Sequence, residues 1–168
     1  QTSKPRRAVS ADLIAMARLT AALPGFAGQS TSLVPDDVPA ALADRLRLYL
    51  SLFYGHKPVV TGVFTADGLA VMLRLLETMR GDAQKLREKP LAIFDCCPTS
   101  PLGWSALSAD ALTGCARAGI PAEIVPMILA GGTGAADLSG ALVQHCAEAL
   151  SGVVIAQCAQ PGAPVIWG

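Results

Sequence analysis

The last third of the chain constrains the fold most. A run without charged residues, Met127-Ile-Leu-Ala-Gly-Gly-Thr-Gly134, leads through Asp137 into a long apolar segment, and the chain closes on Gln160-Pro-Gly-Ala-Pro-Val-Ile-Trp-Gly168. The pattern is a strand over Ala122 to Met127, a glycine-rich loop, a helix from about Asp137 to Gln160, and a second strand from Pro164 to Trp167. A strand that reaches the next strand only through a helix belongs to a parallel βα array. Such arrays do their chemistry in the loops that follow the strands.

The same alternation extends upstream. Ser10 can cap a helix whose apolar face is Leu13, Ile14, Ala17 and Leu19, stopped by Pro24-Gly25. Phe26 to Val34 reads as a short strand and loop. Asp36 or Asp37 can cap a helix carrying Ala41, Leu42, Leu46, Leu48, Tyr49, Leu52 and Phe53 at helical spacing, ended by Gly55. Pro58 to Phe64 is short, β-branched and almost uncharged, the pattern of a parallel strand covered on both faces. Thr65-Ala-Asp-Gly68 caps a long helix to about Lys89, with Leu69, Met72, Leu73, Leu76 and Met79 inward and a kink at Gly81-Asp82. Leu91 to Cys96 is a strand, Cys97 to Leu107 a loop, and Ser108 to Ala118 a helix stopped by Gly119. The fold class is therefore α/β with parallel (β/α) units. On these residues a doubly wound sheet and part of a (β/α)8 barrel both fit, and four or five strands are too few to close a barrel.

Composition narrows the function. Hydrophobic residues make up 52% and charged residues 15%, against about 25% charged in an average chain. That excludes disorder, which needs low hydrophobicity and high net charge. The net charge is zero, and the one basic cluster, Lys4, Arg6 and Arg7 beside Pro5, reads as part of a linker-like start over residues 1–8. No nucleic-acid partner is expected. No apolar run reaches the ~18 residues of a membrane span; Ala141 to Ala159 comes closest but is interrupted by Gln144, His145, Glu148 and Gln157. No signal peptide is visible, so no membrane partner and a cytoplasmic setting are expected. The five cysteines (Cys96, Cys97, Cys115, Cys146 and Cys158) form no CxxC pair and read as reduced thiols.

Three loops lie where chemistry is expected. Thr65 and Asp67 follow Phe64 and read as a helix cap. Asp95 ends an apolar strand and begins Asp95-Cys-Cys-Pro-Thr-Ser-Pro-Leu-Gly-Trp-Ser105. A carboxylate there is costly to bury unless paired, so Asp95 either orients a ligand or binds backbone amides. Thr99 and Ser100 supply hydroxyls, and Trp104 can face a cation. Cys97 has no histidine near it in sequence and reads as an inert thiol. The third loop, Gly131, Gly132, Thr133 and Gly134, lets a ligand approach the backbone closely. It is neither a Walker motif nor GxGxxG. His56, in a helix-to-strand turn, and His145, within the last helix, read as structural. No group of residues has zinc-ligand spacing, so no metal site is expected.

Several of these blocks carry a family resemblance. Ala92-Ile-Phe-Asp-Cys-Cys-Pro-Thr-Ser-Pro-Leu-Gly-Trp-Ser105, Met127-Ile-Leu-Ala-Gly131 with Leu138-Ser-Gly-Ala-Leu142, and Pro161-Gly-Ala-Pro-Val-Ile-Trp-Gly168 resemble the trimethylamine methyltransferase family, as do Lys57-Pro-Val-Val-Thr-Gly-Val-Phe64 and Ser10-Ala-Asp-Leu-Ile-Ala-Met-Ala-Arg-Leu19. The resemblance implies a partial (β/α)8-barrel methyltransferase domain over residues 1–168. It implies transfer of a methyl group from trimethylamine, or from a quaternary amine such as glycine betaine, to the Co(I) of a corrinoid carried by a separate protein. Family chains are on the order of three times a ~150-residue domain, so this chain resembles the central part of one. The region where some members carry pyrrolysine would lie beyond Gly168. Family members assemble, so a homo-oligomer is expected. The family loop with Pro-Leu-Ala-Gly-Ala and then Pro-Val-Thr is here Ile128-Leu-Ala-Gly131-Gly132 and then Ala135-Ala-Asp137, one glycine more and one proline fewer.

With that chemistry, Asp95 is the expected catalytic residue. Phe64, Thr99, Trp104 and Trp167 are the expected substrate-binding residues, and Gly131 to Gly134 the expected docking loop for the corrinoid. The competing readings are a truncated, non-catalytic half-barrel, and an unrelated α/β domain that binds small molecules.

Overall fold

The computed structural model of the chain describes residues 5–168, so Lys4 lies outside the described residues. The elements run α1 (Ser10–Ala22), β1 (Gln29–Ser30), α2 (Ala40–Gly55), β2 (Val59–Thr61), α3 (Gly68–Arg80), α4 (Ala83–Glu88), β3 (Ala92–Cys96), α5 (Ala106–Ala118), β4 (Ala122–Ile124), α6 (Leu138–Ala159) and β5 (Val165–Trp167). The five strands form one parallel sheet in the order β1-β2-β3-β4-β5. Sequential order has no reversal point, which is the feature of a doubly wound sheet. It is the strand order of one wall of a (β/α)8 barrel.

Alternation along the strands separates two faces. Val59, Ala92, Phe94, Cys96, Ala122 and Ile124 point toward the helices and are sealed there against Leu48, Met72, Leu76, Leu112, Cys115 and Ala149. Burying Phe94 completely contributes on the order of 2–3 kcal/mol. On the opposite face Ile93, Asp95 and Glu123 are only half-buried and Ile166 is exposed. The strand read over Pro58 to Phe64 was expected to be covered on both faces; in β2 Val59 and Thr61 are buried and Val60, on the other face, is only half-buried.

The helices differ from the sequence expectations where polar contacts outweigh periodicity. In α1, Ser10 is the first helical residue rather than the cap: the Val9 N–H donates to Asp12 Oδ2 (2.9 Å), and Ser10 donates to Asp37. Leu13 and Ala17 are buried, whereas Leu19 is exposed. Neither Asp36 nor Asp37 caps α2, which starts after Pro39; Asp36 pairs with Arg7 instead. In α2 the inward face is Ala43, Asp44, Arg47, Leu48 and Ser51, while Leu42, Tyr49 and Phe53 are exposed. Tyr49 and Phe53 stack on the outside, ring centroids 5.6 Å apart. The expected long helix after Phe64 is two helices, broken at Gly81, whose φ of 109° suits glycine alone. Met79, expected inward, is exposed. Asp82, Ser105 and Asp137 cap α4, α5 and α6 through backbone N–H groups.

Helix α6, 22 residues with a mean hydropathy of 1.3 over its most apolar window, does meet the length and composition of a membrane span. In the structure it packs on α5, β4 and β5 and carries the fully buried Glu148.

Candidate functional site

A cleft of about 400 Å³ opens at the carboxyl ends of β1, β2 and β3, lined by Thr31, Arg47, Phe64, Asp95, Cys97 and Ser108 among others. Asp95 stands one residue before the end of β3, on the face away from the helices, and pairs in register with Glu123 of β4. The two carboxyls are therefore side by side on one face. Burial, then a carboxyl–carboxyl hydrogen bond to Glu123 and the charge of Glu123, push Asp95 up to about 6, while the charge of Arg47 acts in the opposite direction. A carboxyl titrating there carries its negative charge at neutral pH and can take a proton just below it. Glu123 is the residue the sequence reading missed. The signal was present: it is a carboxylate inside an apolar strand and a register neighbour of Asp95.

Helix α2 supplies the opposite charge. Asp44 is fully buried; burial alone would raise its pKa, but hydrogen bonds from the Phe64 and Arg45 N–H groups, from the Thr65 hydroxyl and from the Arg45 side chain hold it below the usual carboxylate range. The Phe64 N–H donates at 3.0 Å and Thr65 Oγ1 at 3.1 Å, so Asp44 pins the turn after β2 and positions Phe64. Asp67, expected as a cap, instead accepts from Arg45 (3.1 Å). Arg47 is 7% exposed. Its Nη2 donates to the Thr31 carbonyl, its guanidinium lies 4.6 Å from the Phe64 ring centroid, and its Nε and Nη1 have no partner. Burial lowers its pKa, and the charges of Asp44 and Asp95 oppose that. Phe64 thus lines the cleft, 45% exposed, with its ring already serving an internal cation. Cys97 lies in the same cleft, where burial and then the nearby Asp95 charge push its thiol up, the opposite of an activated nucleophile.

Between Cys97 and Ser105, which line the cleft, the loop after β3 runs toward α6. Thr99 and Gly103 exchange backbone hydrogen bonds of 2.7 and 3.0 Å, and Thr99 is exposed. The loop is clasped by Glu148 of α6, which accepts from Ser100 Oγ (2.6 Å), the Leu102 N–H (3.0 Å) and Gln144 Nε2 (2.8 Å). Burial raises the Glu148 pKa, but those hydrogen bonds, with the Leu102 N–H first, bring it below the usual range. Trp104 is directed at α6: its Nε1 donates to Ser151 Oγ (2.9 Å), and its ring edge lies where a Cβ on Gly152 would be 3.0 Å away. The expectation that Trp104 faces a ligand in the cleft gives way to a packing role. The reason is the small residue Gly152, which lets the indole approach the helix.

Trp167 is likewise displaced from its expected place. It alternates with Ile166 and pairs with Ile124, so it lies on the helix side of the sheet, 49% exposed, with Nε1 donating to His145 Nε2 (3.4 Å). In the loop after β4, the Gly131, Gly132 and Gly134 N–H groups are used by the Ala135 and Leu129 carbonyls, and Thr133 Oγ1 accepts from the Leu129 N–H. The loop therefore offers an anion none of these amides. What it exposes is apolar: Met127 and Leu129 beside Gly131 and Gly132. His56 is exposed at the end of α2. All five cysteines are free, and no group of three metal-binding side chains occurs among the described residues.

The geometry thus brings Asp95, Arg47 and Phe64 into the cleft, sets Glu123 beside Asp95, and leaves Thr99, Trp104, Trp167 and the glycine loop outside. Comparison with known proteins gives the family. The family description matching residues 1–168 is trimethylamine methyltransferase (MTTB). Trimethylamine methyltransferase MttB of Desulfitobacterium hafniense (strain DSM 10664 / DCB-2) is 30% identical over 167 residues, 99% of this chain and 34% of the relative. MttB of Methanosarcina barkeri is 43% identical over 88 residues, 52% of this chain and 18% of the relative. Glycine betaine methyltransferase of Desulfitobacterium hafniense (strain Y51) is 29% identical over 134 residues, 80% of this chain and 28% of the relative. The chain spans about a third, or less, of the length of these relatives. A family match along the whole chain, on a parallel α/β framework, makes this protein a member of the trimethylamine methyltransferase family.

Proposed function

We propose that the protein takes part in methyl transfer from a methylated amine, trimethylamine or a quaternary amine such as glycine betaine, to the Co(I) of a corrinoid held by a separate protein. Its parallel sheet would form one wall of a (β/α)8 barrel. The observation that carries the reading is the Asp95–Glu123 pair on the open face at the strand ends, beside a cleft of about 400 Å³.

A methylated ammonium is a cation that cannot be titrated away when quaternary. The half-buried Asp95 carboxylate in the cleft, with Glu123 beside it, attracts such a cation more strongly than in bulk water, because the local dielectric is lower. A reduced corrinoid carried by the separate protein would supply the nucleophile that accepts the methyl group, the C–N electron pair staying on nitrogen. The nitrogen leaves as an amine with one methyl fewer and its positive charge gone. The charge disappears during the reaction, so Asp95 contributes by holding the cation and aligning its methyl group, not by stabilising a charge that develops. The exposed Met127–Gly132 rim fits a flat, largely apolar acceptor face better than an anion, since its amides are engaged.

The test is methyl transfer to a reduced corrinoid protein, followed by the change in corrinoid absorbance, with trimethylamine and with glycine betaine. Asp95→Asn should slow transfer by on the order of tenfold or more, mainly through weaker amine binding. Unchanged rates in that variant remove Asp95 from the site, and no transfer from either amine by the unmodified protein removes the reading.

A further inference from the structure

The loop after β4, residues 127–135, is hydrogen-bonded almost entirely to itself. The Gly132 and Gly134 N–H groups donate to the Leu129 carbonyl at 2.9 and 3.1 Å, and the Gly131 N–H donates to the Ala135 carbonyl at 3.2 Å. Thr133 Oγ1 closes the turn by accepting from the Leu129 N–H at 3.1 Å. Among the described residues one hydrogen bond joins this loop to another element: Gln144 Nε2 of α6 donates to the Thr133 carbonyl at 2.9 Å. A loop bonded internally moves as a unit, so a single tether sets where its exposed side chains, Met127 and Leu129, stand.

The tether does not end on α6. The same Gln144 nitrogen donates its second proton to Glu148 Oε1 at 2.8 Å, one helical turn along. Glu148 in turn holds the loop after β3 through Ser100 Oγ and the Leu102 N–H. Both protons of one primary amide are therefore spent, one on each loop's anchor. The reversed amide would set its oxygen against the Glu148 carboxylate and the Thr133 carbonyl, so its partners fix its orientation. Glu148 is fully buried and Gln144 half-buried, which shields the connection from competition by water.

We infer that Gln144 is a positioning residue for the methyl acceptor. Through Thr133 it holds the Met127–Gly132 rim fixed relative to α6, and through Glu148 it ties that rim to the loop after β3, whose ends at Cys97 and Ser105 line the cleft. The inference rests on the reading of that rim as the acceptor-facing surface. Gln144 touches neither amine nor acceptor; it acts by keeping rim and cleft in one fixed relation. Methyl transfer needs the acceptor in line with the breaking C–N bond, and a misplacement of about 1 Å costs on the order of a hundredfold in rate. A rim free to shift loses that alignment while the cleft still binds its amine.

Gln144→Met keeps the length of the side chain and removes both donated protons. Amide hydrogen exchange, followed residue by residue, should show Gly132 and Gly134 exchanging about fivefold faster in the variant, the size of one lost hydrogen bond. Leu102, bonded directly to Glu148, should exchange as before. Gln144→Lys, which can still donate to both acceptors, should restore most of the protection. In calorimetric titrations Gln144→Met should bind aquocobalamin, a free corrinoid, about fivefold more weakly than the unmodified protein does, and tetramethylammonium equally well. Unchanged exchange at Gly132 and Gly134 in the folded Gln144→Met variant, or an unchanged aquocobalamin affinity, overturns the positioning role while the methylated-amine reading survives on tetramethylammonium binding. No aquocobalamin binding by the unmodified protein removes the acceptor rim and this inference with it. Failure of tetramethylammonium alone to bind overturns the amine reading and leaves the tether standing.

Discussion

Replacing Asp95 by asparagine tests the carboxyl pair without reference to any substrate. In the folded chain Asp95 titrates at about 6, above its ordinary 3.8. The folded state therefore binds this proton more tightly than the unfolded state does. The stability it contributes is full below the unfolded value and is lost as pH rises through the folded one. The full loss is about 3 kcal/mol, from roughly two pH units at about 1.4 kcal/mol each. Between about pH 4 and pH 8 the part still to be lost is about 2 kcal/mol, because some ionisation has begun in the unfolded chain by pH 4. Asparagine keeps the size of the side chain and cannot ionise beside Glu123. Urea unfolding of the protein and of Asp95→Asn at the two pH values should show the variant gaining about 2 kcal/mol relative to the unmodified protein at the higher pH. Carboxylates remote from Asp95 titrate alike in both proteins and cancel in the difference, so what remains belongs to the Asp95–Glu123 pair. A difference that stays constant across this range means that Asp95 is not held against Glu123 in a half-buried site, and the geometry proposed for holding the ammonium falls with it.

Other substitutions report on the surroundings of the cleft. Glu148→Ala strips acceptors from Ser100, Leu102 and Gln144 and should cost about 3 kcal/mol of unfolding free energy; a loss below about 0.5 kcal/mol would mean that the clasp on the loop contributes little. Gly152→Val puts a Cβ within 2.8 Å of Ile124 and 3.0 Å of Trp104, which should destabilise by about 1–3 kcal/mol in the same assay. Trp167→Phe should leave the affinity for tetramethylammonium unchanged, since the indole lies on the helix side of the sheet; weakened binding would bring Trp167 back into the site.

The alternation of strands and helices was legible because each element writes its own local signal. Val59 to Thr61 and Ala92 to Cys96 are β-branched or apolar, and Asp137 and Gly119 mark helix ends. The break at Gly81 was visible as a kink but not as two helices. Asp95 was legible as a candidate because a carboxylate at the end of an apolar strand is rare and costly. The inward face of α2 was misread. Periodicity favours Tyr49 and Phe53 over Asp44 and Arg47, yet the polar pair is buried because the backbone N–H groups of Phe64 and Arg45 and the carbonyl of Thr31 receive it. Trp167 was placed correctly at a strand end, whereas Trp104 lies in the loop just before α5, and neither indole turns toward the cleft. Which way a side chain at a strand end points depends on parity along the strand and on what the neighbouring helix leaves open.

The sequence by itself determined the α/β class, the parallel (β/α) order and, through its motif blocks, the family. The class and the order rest on composition, periodicity and local spacing, carried within a few tens of residues; the family rests on the resemblance of those blocks to known members. The tertiary structure decided that Glu123 stands beside Asp95, that Arg47 reaches the cleft from a helix, that Trp104 packs on α6 and that Trp167 lies on the helix side of the sheet. Those facts depend on parallel register between strands joined by a helix and on part-buried hydrogen bonds between residues as far apart as Trp104 and Ser151. Long-range pairing of this kind is set by how the layers close on one another, and no stretch of local sequence encodes it alone.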